Sequence, residues 1–217
     1  LRTPATGVKQ YLGLLIQGFA GELSQQQQQL LEKAYAGNER QLKTINDVLY
    51  LARLGSGRIV LSKSKFTVTQ LATEIARELQ DEIKSRNHTL QLQIPKNKKL
   101  FYGDEHMIRM AIENLMTNAI KYTKDGGTIV LSVKLGKNNL TVSVKDNGVG
   151  IEKSQQDRLF QQFERIENDL SIMVGGSGIG LYVVQNIANM HDGHVEVSSE
   201  LDEGSTFTMV LPTKPPE

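Results

Sequence analysis

The sequence contains no cysteine and no long hydrophobic run. The absence of cysteine excludes disulfide bonds, thiolate metal sites and thiol catalysis, and it fits a reducing compartment. The apolar segment YLGLLIQGF is far shorter than the roughly 20 residues that a membrane-spanning helix needs, and no signal peptide is visible. We therefore expect a cytoplasmic location, with any membrane connection in segments outside these residues.

Net charge is also nearly absent. The 25 lysines and arginines balance 24 aspartates and glutamates, which leaves a formal charge of +1. No global field favours nucleic acid or an anionic membrane as a partner, so any electrostatic site must be local. The chain has 217 residues, which is enough for one large domain or two small ones, each with its own core.

Residues 1–54 show helical periodicity and contain no convincing strand. They divide at GFAGELS, where two glycines and Ser24 predict a turn and a helix N-cap. The run QQQQQ is expected to form the exposed first turns of the second helix. The pattern therefore predicts a helical hairpin.

The second arm of this hairpin carries an apolar seam with alternating spacings of four and three residues. The seam consists of Leu31, Tyr35, Asn38, Leu42, Ile45, Leu49 and Ala52. One hairpin cannot cover so wide a face, so the pattern favours a homodimer in which two hairpins form a four-helix bundle. A hairpin that packs on its own C-terminal domain is the alternative.

A second domain is predicted over residues 62–217, after a glycine-rich linker at residues 55–61. Its predicted helices lie at about 67–86, 104–122 and 178–191, and Asp104 caps the second of them. Its predicted strands are TLQLQI, KLFYG, GTIVLSVKLG, NNLTVSVKD, HVEVSSE and STFTMVLP. Mostly antiparallel strands with helices on one face describe a two-layer α/β sandwich, so we expect an α+β fold.

Two asparagines lie four residues apart on the helix that ends ENLMTNAIKYT. Asn114 and Asn118 therefore share one face, and Lys121 and Tyr122 follow a turn later. One interpretation is a pair of structural amides. In the other, the Asn118 oxygen binds a hard cation such as Mg²⁺ and Lys121 supplies a charge to phosphate groups. These residues alone leave both interpretations open.

Two glycine-rich segments follow. An aspartate beside glycines, as in DNGVGI, is usually a turn, but Asp146 in an apolar pocket could accept the amine of adenine. Gly148 and Gly150 would let the backbone close around a flat base. In GGSGIGL, the glycines lead into a helix N-terminus that can face an anion. That segment lacks the spacing of the Walker loop and of the dinucleotide fingerprint.

The order of these motifs resembles the catalytic domain of sensor histidine kinases, in the ATPase superfamily with the Bergerat-type fold. ENLMTNAIKYT resembles the N box, DNGVGI the first glycine box and LFQQFERI the phenylalanine box of that family. GGSGIGLYVVQNIANMHDG resembles the second glycine box, and GSTFTMVLP the last. The resemblance covers nearly all of the chain.

The hairpin resembles the dimerisation and phosphoacceptor domain of the same kinases, whose first helix carries the string H-E-L-R-T-P. The residues from Leu1 to Pro4 match its last four positions, so the phosphoacceptor histidine and its glutamate would lie just before Leu1. The histidines within the chain do not replace it, and we expect surface or packing roles for His88, His106, His191 and His194.

The resemblance implies ATP and Mg²⁺ as cofactors, with a role for each matching residue. Asp146 would bind the adenine amine, Asn118 would bind the metal, and Lys121 would contact the phosphates. Tyr122 would lie beside the base or ribose, and Asn114 would support the polyphosphate side. The implied nucleotide contacts also include Gly148, Gly150, Ile151, Phe163, Gly176, Ser177, Gly178, Gly180 and Leu181.

Further roles follow from the same resemblance. Residues 151–175 would form an ATP lid that Phe160 and Phe163 anchor, unless these rings are plain core packing. Arg165 would reach the γ-phosphate, and Thr206 would hold the adenine through a water near Asp146. Thr3 would orient a water that dephosphorylates the regulator.

The implied reaction transfers the γ-phosphoryl group of ATP to a histidine of the dimerisation domain, and then to an aspartate of a response-regulator receiver domain. Two alternatives stay open. An ATP hydrolase of the same superfamily would need a glutamate where this chain has Asn114, because the adjacent Glu113 points about 100° away around the helix. A dimeric scaffold would bind nucleotide without transferring it.

Overall fold

The computed structural model describes residues 2–55, 59–96, 99–164 and 177–213. The chain divides into two compact units, Leu1–Val60 and Leu61–Glu217. Among the described residues, the helices are all too short or too polar to span a lipid bilayer.

The first unit is a helical hairpin, as the sequence predicts. Helix α1 spans Arg2–Ile16 and helix α2 spans Gln25–Gly55. At about 1.5 Å per residue, α2 is roughly twice as long as α1 and continues past it. The predicted seam is at least half-buried from Leu31 to Ile45, whereas Leu49 and Ala52 at its end are exposed.

The start of α2 has a capping box. The Gln27 amide donates a hydrogen bond to Ser24 Oγ at 3.3 Å, and the Ser24 amide donates to Gln27 Oε1 at 2.9 Å. This reciprocal pair satisfies two donors that a helix start leaves unpaired. Gly18 and Gly21 take φ values of 82° and 110° in the turn, which glycine adopts without strain. The predicted turn and N-cap are confirmed.

The second unit combines a five-stranded sheet, a two-stranded ribbon and a layer of helices. Its elements are β1 (Ser64–Phe66), α3 (Val68–Glu78), α4 (Gln80–Ser85), β2 (Thr89–Gln93), β3 (Phe101–Gly103), α5 (Glu105–Tyr122), β4 (Thr128–Leu135), β5 (Asn139–Asp146), α6 (Lys153–Gln156), α7 (Gly180–Met190), β6 (His194–Glu200) and β7 (Gly204–Pro212).

The main sheet has the order β2-β4-β5-β7-β6, and β1 pairs with β3 separately. Strands β2 and β4 are parallel, and the other neighbours are antiparallel. Along β4, β5 and β7, buried and partly exposed residues alternate, so one face of the sheet is covered. Helices α3, α5 and α7 pack on that face. The predicted α+β fold with a two-layer sandwich is confirmed.

Three local features differ from the sequence prediction. The helix expected at about 67–86 is two helices, because Leu79 leaves the helical region at φ −87° and ψ 1°. Leu79 is spaced four residues from Ile75 and from Ile83, so the apolar pattern is continuous across the break. The three-residue strand β1 was not predicted, since it is defined only by pairing with β3. Helix α6 was not predicted and lies within the segment that the resemblance makes the ATP lid.

Candidate active site

Asp146 is a buried carboxylate at the end of β5. Its side chain is 5% exposed, and its Oδ1 accepts hydrogen bonds from the amides of Gly148 at 2.9 Å and Ser205 at 3.3 Å. Burial raises the pKa of Asp146 above its usual value, and the two backbone hydrogen bonds oppose that rise. Within the described part of the chain, Oδ2 accepts no hydrogen bond. One acceptor of a buried carboxylate is thus left for another donor.

The two glycines after Asp146 are required by close backbone packing. A Cβ atom on Gly148 would lie 2.2 Å from the Tyr122 carbonyl oxygen, and one on Gly150 would lie 1.8 Å from the Glu200 carbonyl oxygen. Gly150 also has a φ of 65°. These glycines bring the loop that follows Asp146 against the end of α5 and the end of β6.

Ser205, and not Thr206, contacts Asp146. In β7 the inward residues are Ser205, Phe207 and Met209, whereas Thr206 pairs with Lys145 on the outer face of the sheet. This contact is made by the backbone amide of Ser205 and does not exclude the predicted hold of Thr206 on the adenine through a water, which stays a prediction.

Asn114 joins α5 to the start of α7. It is 5% exposed, and its Nδ2 donates a hydrogen bond to the Met110 carbonyl at 2.9 Å. Its Oδ1 lies 3.1 Å from the position that a Cβ of Gly180 would take. Gly180 therefore lets the first turn of α7 approach the amide closely.

The N-terminus of α7 has no side-chain cap. The N-cap residue is Ile179, and the first turn contains no acidic residue. Among the described residues, no side chain pairs with the first amide groups of the helix, including those of Gly180 and Leu181, and such groups can bind an anion. The predicted glycine-rich helix start is present.

The other predicted residues of α5 lie beyond Asn114 on the same helix. Asn118, Lys121 and Tyr122 are half-buried. Among the described residues, the Asn118 amide has no hydrogen-bond partner. Because Asn114 and Asn118 are one turn apart, the Asn118 amide lies on the side of α5 that faces the start of α7.

The segment after Gly150 is held to the sheet by a residue that the sequence analysis missed. Gln156 of α6 donates from Nε2 to the carbonyl oxygens of Ile151 at 3.0 Å and Ser199 at 2.9 Å. The Asp202 amide also donates to the Val149 carbonyl at 2.7 Å. No sequence pattern marks Gln156, because its role depends on two distant carbonyl groups.

The predicted lid at about 151–175 is described over residues 151–164. Phe163 is 61% exposed with a φ of 64°, so among the described residues it is not a core side chain. Phe160 and Ser177 are half-buried. A Cβ on Gly178 would lie 2.9 Å from the Glu164 carbonyl oxygen, so Gly178, which follows the predicted lid, lies close to Glu164. Arg165 and Gly176 lie outside the described residues.

Glu113 lies on a different side of α5 from Asn114. It forms an ion pair with Arg109 at 3.6 Å, and Arg109 also pairs with Glu74 at 2.9 Å and Glu78 at 3.1 Å. This surface cluster links α3 to α5. The carboxylate next to Asn114 is therefore directed away from the start of α7.

The remaining predicted residues lie elsewhere. Thr3 is exposed on the first turn of α1. His106 and His194 are exposed, whereas His88 and His191 are buried, in agreement with surface and packing roles.

Comparisons with known proteins agree with this arrangement. The model of the family described as histidine kinase-, DNA gyrase B-, and HSP90-like ATPase matches residues 103–215, and that of the His kinase A (phospho-acceptor) domain matches residues 1–57. The circadian input-output histidine kinase CikA of Synechococcus elongatus is 31% identical over 214 residues. The match covers 98% of this chain and 28% of CikA.

Solved structures show the same fold. The histidine kinase AdeS of Acinetobacter baumannii aligns with a TM-score of 0.70 at 22% identity, over 99% of this chain and 98% of AdeS. Full-length ShkA in complex with AMPPNP aligns with a TM-score of 0.75 at 25% identity, over all of this chain and 44% of ShkA.

The chain belongs to the histidine kinase-, DNA gyrase B- and HSP90-like ATPase family, and this membership implies ATP binding. The phospho-acceptor match over the hairpin places it, more narrowly, among the sensor histidine kinases.

Proposed function

We propose that this chain is the cytoplasmic kinase core of a two-component sensor. The second unit binds ATP with Mg²⁺, and the γ-phosphoryl group passes to a histidine of the dimerisation hairpin. From that histidine it passes to an aspartate of a response-regulator receiver domain. In functional terms, residues 1–54 are the phosphotransfer hairpin, 55–61 the linker and 62–217 the ATP-binding domain, with a lid at about 151–175.

Recognition of adenine is assigned to Asp146. Its Oδ2 is available as an acceptor for the exocyclic amine, while Gly148 and Ser205 hold Oδ1. A buried carboxylate fixed through one oxygen needs no reorganisation to accept a donor on the other. Gly150, Ile151 and Tyr122 lie around this position in the loop and at the end of α5.

Recognition of the polyphosphate is assigned to the start of α7 and to α5. The uncapped amides of Gly180 and Leu181 offer donors, and Lys121 adds a positive charge. Nucleotide contacts are also assigned to Phe163 of the lid and to Gly176, Ser177 and Gly178 after it, and Arg165 is assigned to the γ-phosphate.

The metal is assigned to Asn118. Its amide oxygen has no partner among the described residues, and a hard cation accepts such an oxygen. In the described part of the chain there is no group of three His, Cys, Asp or Glu residues that could hold a metal alone. Mg²⁺ would therefore take its other ligands from phosphate and water, and it would neutralise charge during transfer.

The transfer forms a bond between a histidine nitrogen and the γ-phosphorus and breaks the bond from that phosphorus to the β–γ bridging oxygen, which leaves ADP. The chain contributes mainly by positioning the nucleotide and by electrostatic stabilisation. The phosphoacceptor is assigned to the histidine that would precede Leu1 by two positions. Thr3 is assigned to orienting a water when the regulator is dephosphorylated.

The observation that carries this proposal is that an amide side chain, Asn114 of α5, lies beside the start of α7. The neighbouring carboxylate, Glu113, is paired with Arg109 instead. An amide cannot act as the general base that activates water for hydrolysis. The site therefore favours transfer of the phosphoryl group to another acceptor over its release to water.

The hairpin supports assignment of the homodimer. Val8, Tyr11 and Leu14 recur at intervals of three on α1 and are exposed, as are Leu30 and Val48 on α2. A second hairpin packed against these residues would bury this surface in a four-helix bundle.

Steady-state ATP hydrolysis tests the assignment. We expect slow turnover by the unsubstituted chain and a gain of at least about tenfold in Asn114→Glu, because a carboxylate at that position can activate water. Glu113→Gln is the matched control, since the same helix loses a carboxylate outside the site. Its hydrolysis rate should be unchanged.

Rapid hydrolysis by the unsubstituted chain would contradict the proposal. A hydrolysis rate that falls in Glu113→Gln would also contradict it, because Glu113 would then be acting as the base.

A further inference from the structure

His191 connects the end of α7 to the start of α5. It is 4% exposed and is the C-cap residue of α7. Its Nε2 accepts a hydrogen bond from the Asp104 amide at 3.0 Å, and its Nδ1 lies 2.8 Å from the Ile187 carbonyl oxygen. An amide can only donate and a carbonyl can only accept, so the ring is neutral with its proton on Nδ1.

Asp104 is itself fixed by two more hydrogen bonds. Its Oδ1 accepts from the Met107 amide at 3.0 Å and caps α5, and its Oδ2 accepts from the Ser62 amide at 2.8 Å. The residue that His191 contacts is therefore held to α5 and to the segment before β1. The contact therefore joins the start of α5, which Asp104 caps, to the end of α7, where His191 is the C-cap residue.

A second contact between the same helices lies at the nucleotide site. Gly180 at the start of α7 packs against Asn114 in α5. Asp104 and Asn114 are ten residues apart, and Gly180 and His191 are eleven residues apart. At about 1.5 Å per residue, the separation is about 15 Å along α5 and about 16 Å along α7. The two antiparallel helices can therefore make both contacts at the same time.

We propose that His191 is a positioning residue for the nucleotide site, where it sets the axial register of α7 against α5 and thereby holds Gly180 beside Asn114. A helix is stiff along its axis, so a slip at the His191 end moves the other end by a similar distance. Such a slip would displace the amides of the α7 N-terminus from the face that carries Asn114 and Asn118. The inference rests on the proposed function, because it concerns the same ATP site.

This contact depends on the neutral ring. Burial lowers the pKa of His191 below its usual value of 6.5, which keeps Nε2 an acceptor at neutral pH. The charged groups that act on the ring are Lys63 before β1, Asp104 at the start of α5 and Asp192 after α7. His191 also lines a surface cleft with Lys63 and Tyr102, so protons reach the ring from solvent.

The direction of the pH effect follows. The folded protein binds a proton at His191 less readily than the unfolded chain does. The contribution of the contact is therefore complete above pH 6.5 and declines as the pH falls below that value. Protonation removes the acceptor and leaves the Asp104 amide without a partner.

Two substitutions separate the two hydrogen bonds. In His191→Gln the amide oxygen can take the place of Nε2 and accept from Asp104. In His191→Asn the shorter amide can donate to Ile187 but cannot reach Asp104. His194→Gln is the matched control, since His194 is exposed and contacts Glu196 at 3.0 Å.

The measurement is the dissociation constant of ATP with Mg²⁺ at about pH 7.5, by titration calorimetry on protein shown to be folded by circular dichroism. We expect His191→Gln and the control to bind within about twofold of the unsubstituted chain, and His191→Asn to bind about tenfold more weakly. A misaligned helix lowers the fraction of competent sites, and the measured constant rises accordingly. A folded His191→Asn protein with unchanged ATP affinity would overturn the inference.

A pH series gives a second test that needs no destabilised variant. The ratio of the dissociation constants of the unsubstituted chain and His191→Gln cancels the titration of the nucleotide and of other groups. This ratio should rise as the pH falls below 6.5 towards the lowered pKa of His191. A ratio that stays constant down to the lowest pH at which both proteins remain folded would overturn the inference alone, whereas absence of ATP binding by the unsubstituted chain would overturn the proposed function as well.

Discussion

Asp146 has two carboxylate oxygens in different environments. Oδ1 is held by the amides of Gly148 and Ser205, and Oδ2 accepts nothing from the described residues. Burial of this acceptor removes water from the carboxylate, and this desolvation raises the pKa of the carboxyl group. Such an arrangement is typical of a site where stability is reduced in favour of binding.

Replacement of Asp146 by asparagine should separate binding from stability. In Asp146→Asn one oxygen can still accept from Gly148 and Ser205, but an NH₂ group replaces Oδ2. A hydrogen bond to a charged group contributes about 2 kcal/mol, so ATP should bind roughly thirtyfold more weakly in titration calorimetry.

The same variant should be at least as stable as the original chain at neutral pH. Because the folded-state pKa of Asp146 is raised above 3.8, the folded protein binds this proton more readily than the unfolded chain. The contribution of Asp146 to stability is complete below pH 3.8 and is lost as the pH rises through the folded-state pKa. Thermal unfolding at pH 7 checks this point, and a marked loss of stability together with the loss of ATP affinity would contradict it.

At the residue scale, the sequence identified the residues whose chemistry is visible in short motifs. Asp146, Asn114 and Gly180 lie in such motifs, and in the structure Gly180 packs against Asn114. The contact of the Ser205 amide with Asp146 was not predicted, because it depends on how β7 pairs with β5. Gln156 could not be found, since its two acceptors lie in segments distant in sequence from each other.

Helix α2 illustrates the scale of single elements. Its first turns are five consecutive glutamines, which supply no apolar contact and therefore depend on the cap. Ser24 and Gln27 form this cap by exchanging hydrogen bonds. The start of the longest helix thus depends on two polar side chains.

Removal of the cap should loosen this helix start. In Ser24→Ala the N-terminal turn of α2 loses an acceptor, which costs about 1 kcal/mol and should speed hydrogen exchange at the Gln27 amide roughly fivefold. Ser24→Asp is the control, because aspartate is an equally good N-cap residue. Equal exchange rates in the alanine variant and the original chain would show that the cap does not hold this turn.

Helices and strands with clear periodicity were predicted correctly. The hairpin, α5, α7 and the main strands follow from apolar spacing and from cap residues such as Asp104. The break at Leu79 was not visible, because the four-residue spacing continues across it. Strand β1 is only three residues long, so its identity comes from pairing with β3.

At the scale of the whole molecule, the proposed function gives the two units complementary parts of one reaction. The second unit presents a site that fits ATP and lacks a carboxylate base at Asn114. The first unit presents an exposed apolar face on α1 and α2, and it matches a phospho-acceptor domain. The sequence predicted this division from composition and motif order, whereas the contacts that align α5 with α7 required the structure.

Phosphotransfer from ATP to a histidine tests the central claim most directly. The chain would be incubated with γ-labelled ATP, Mg²⁺ and a separately purified helical hairpin that begins with the string H-E-L-R-T-P. We expect label on the histidine of the hairpin, loss of that label when the histidine is replaced by glutamine, and strong reduction when the kinase carries Asp146→Asn. A folded chain that binds ATP but leaves the hairpin unlabelled would contradict the account and would favour a nucleotide-binding scaffold.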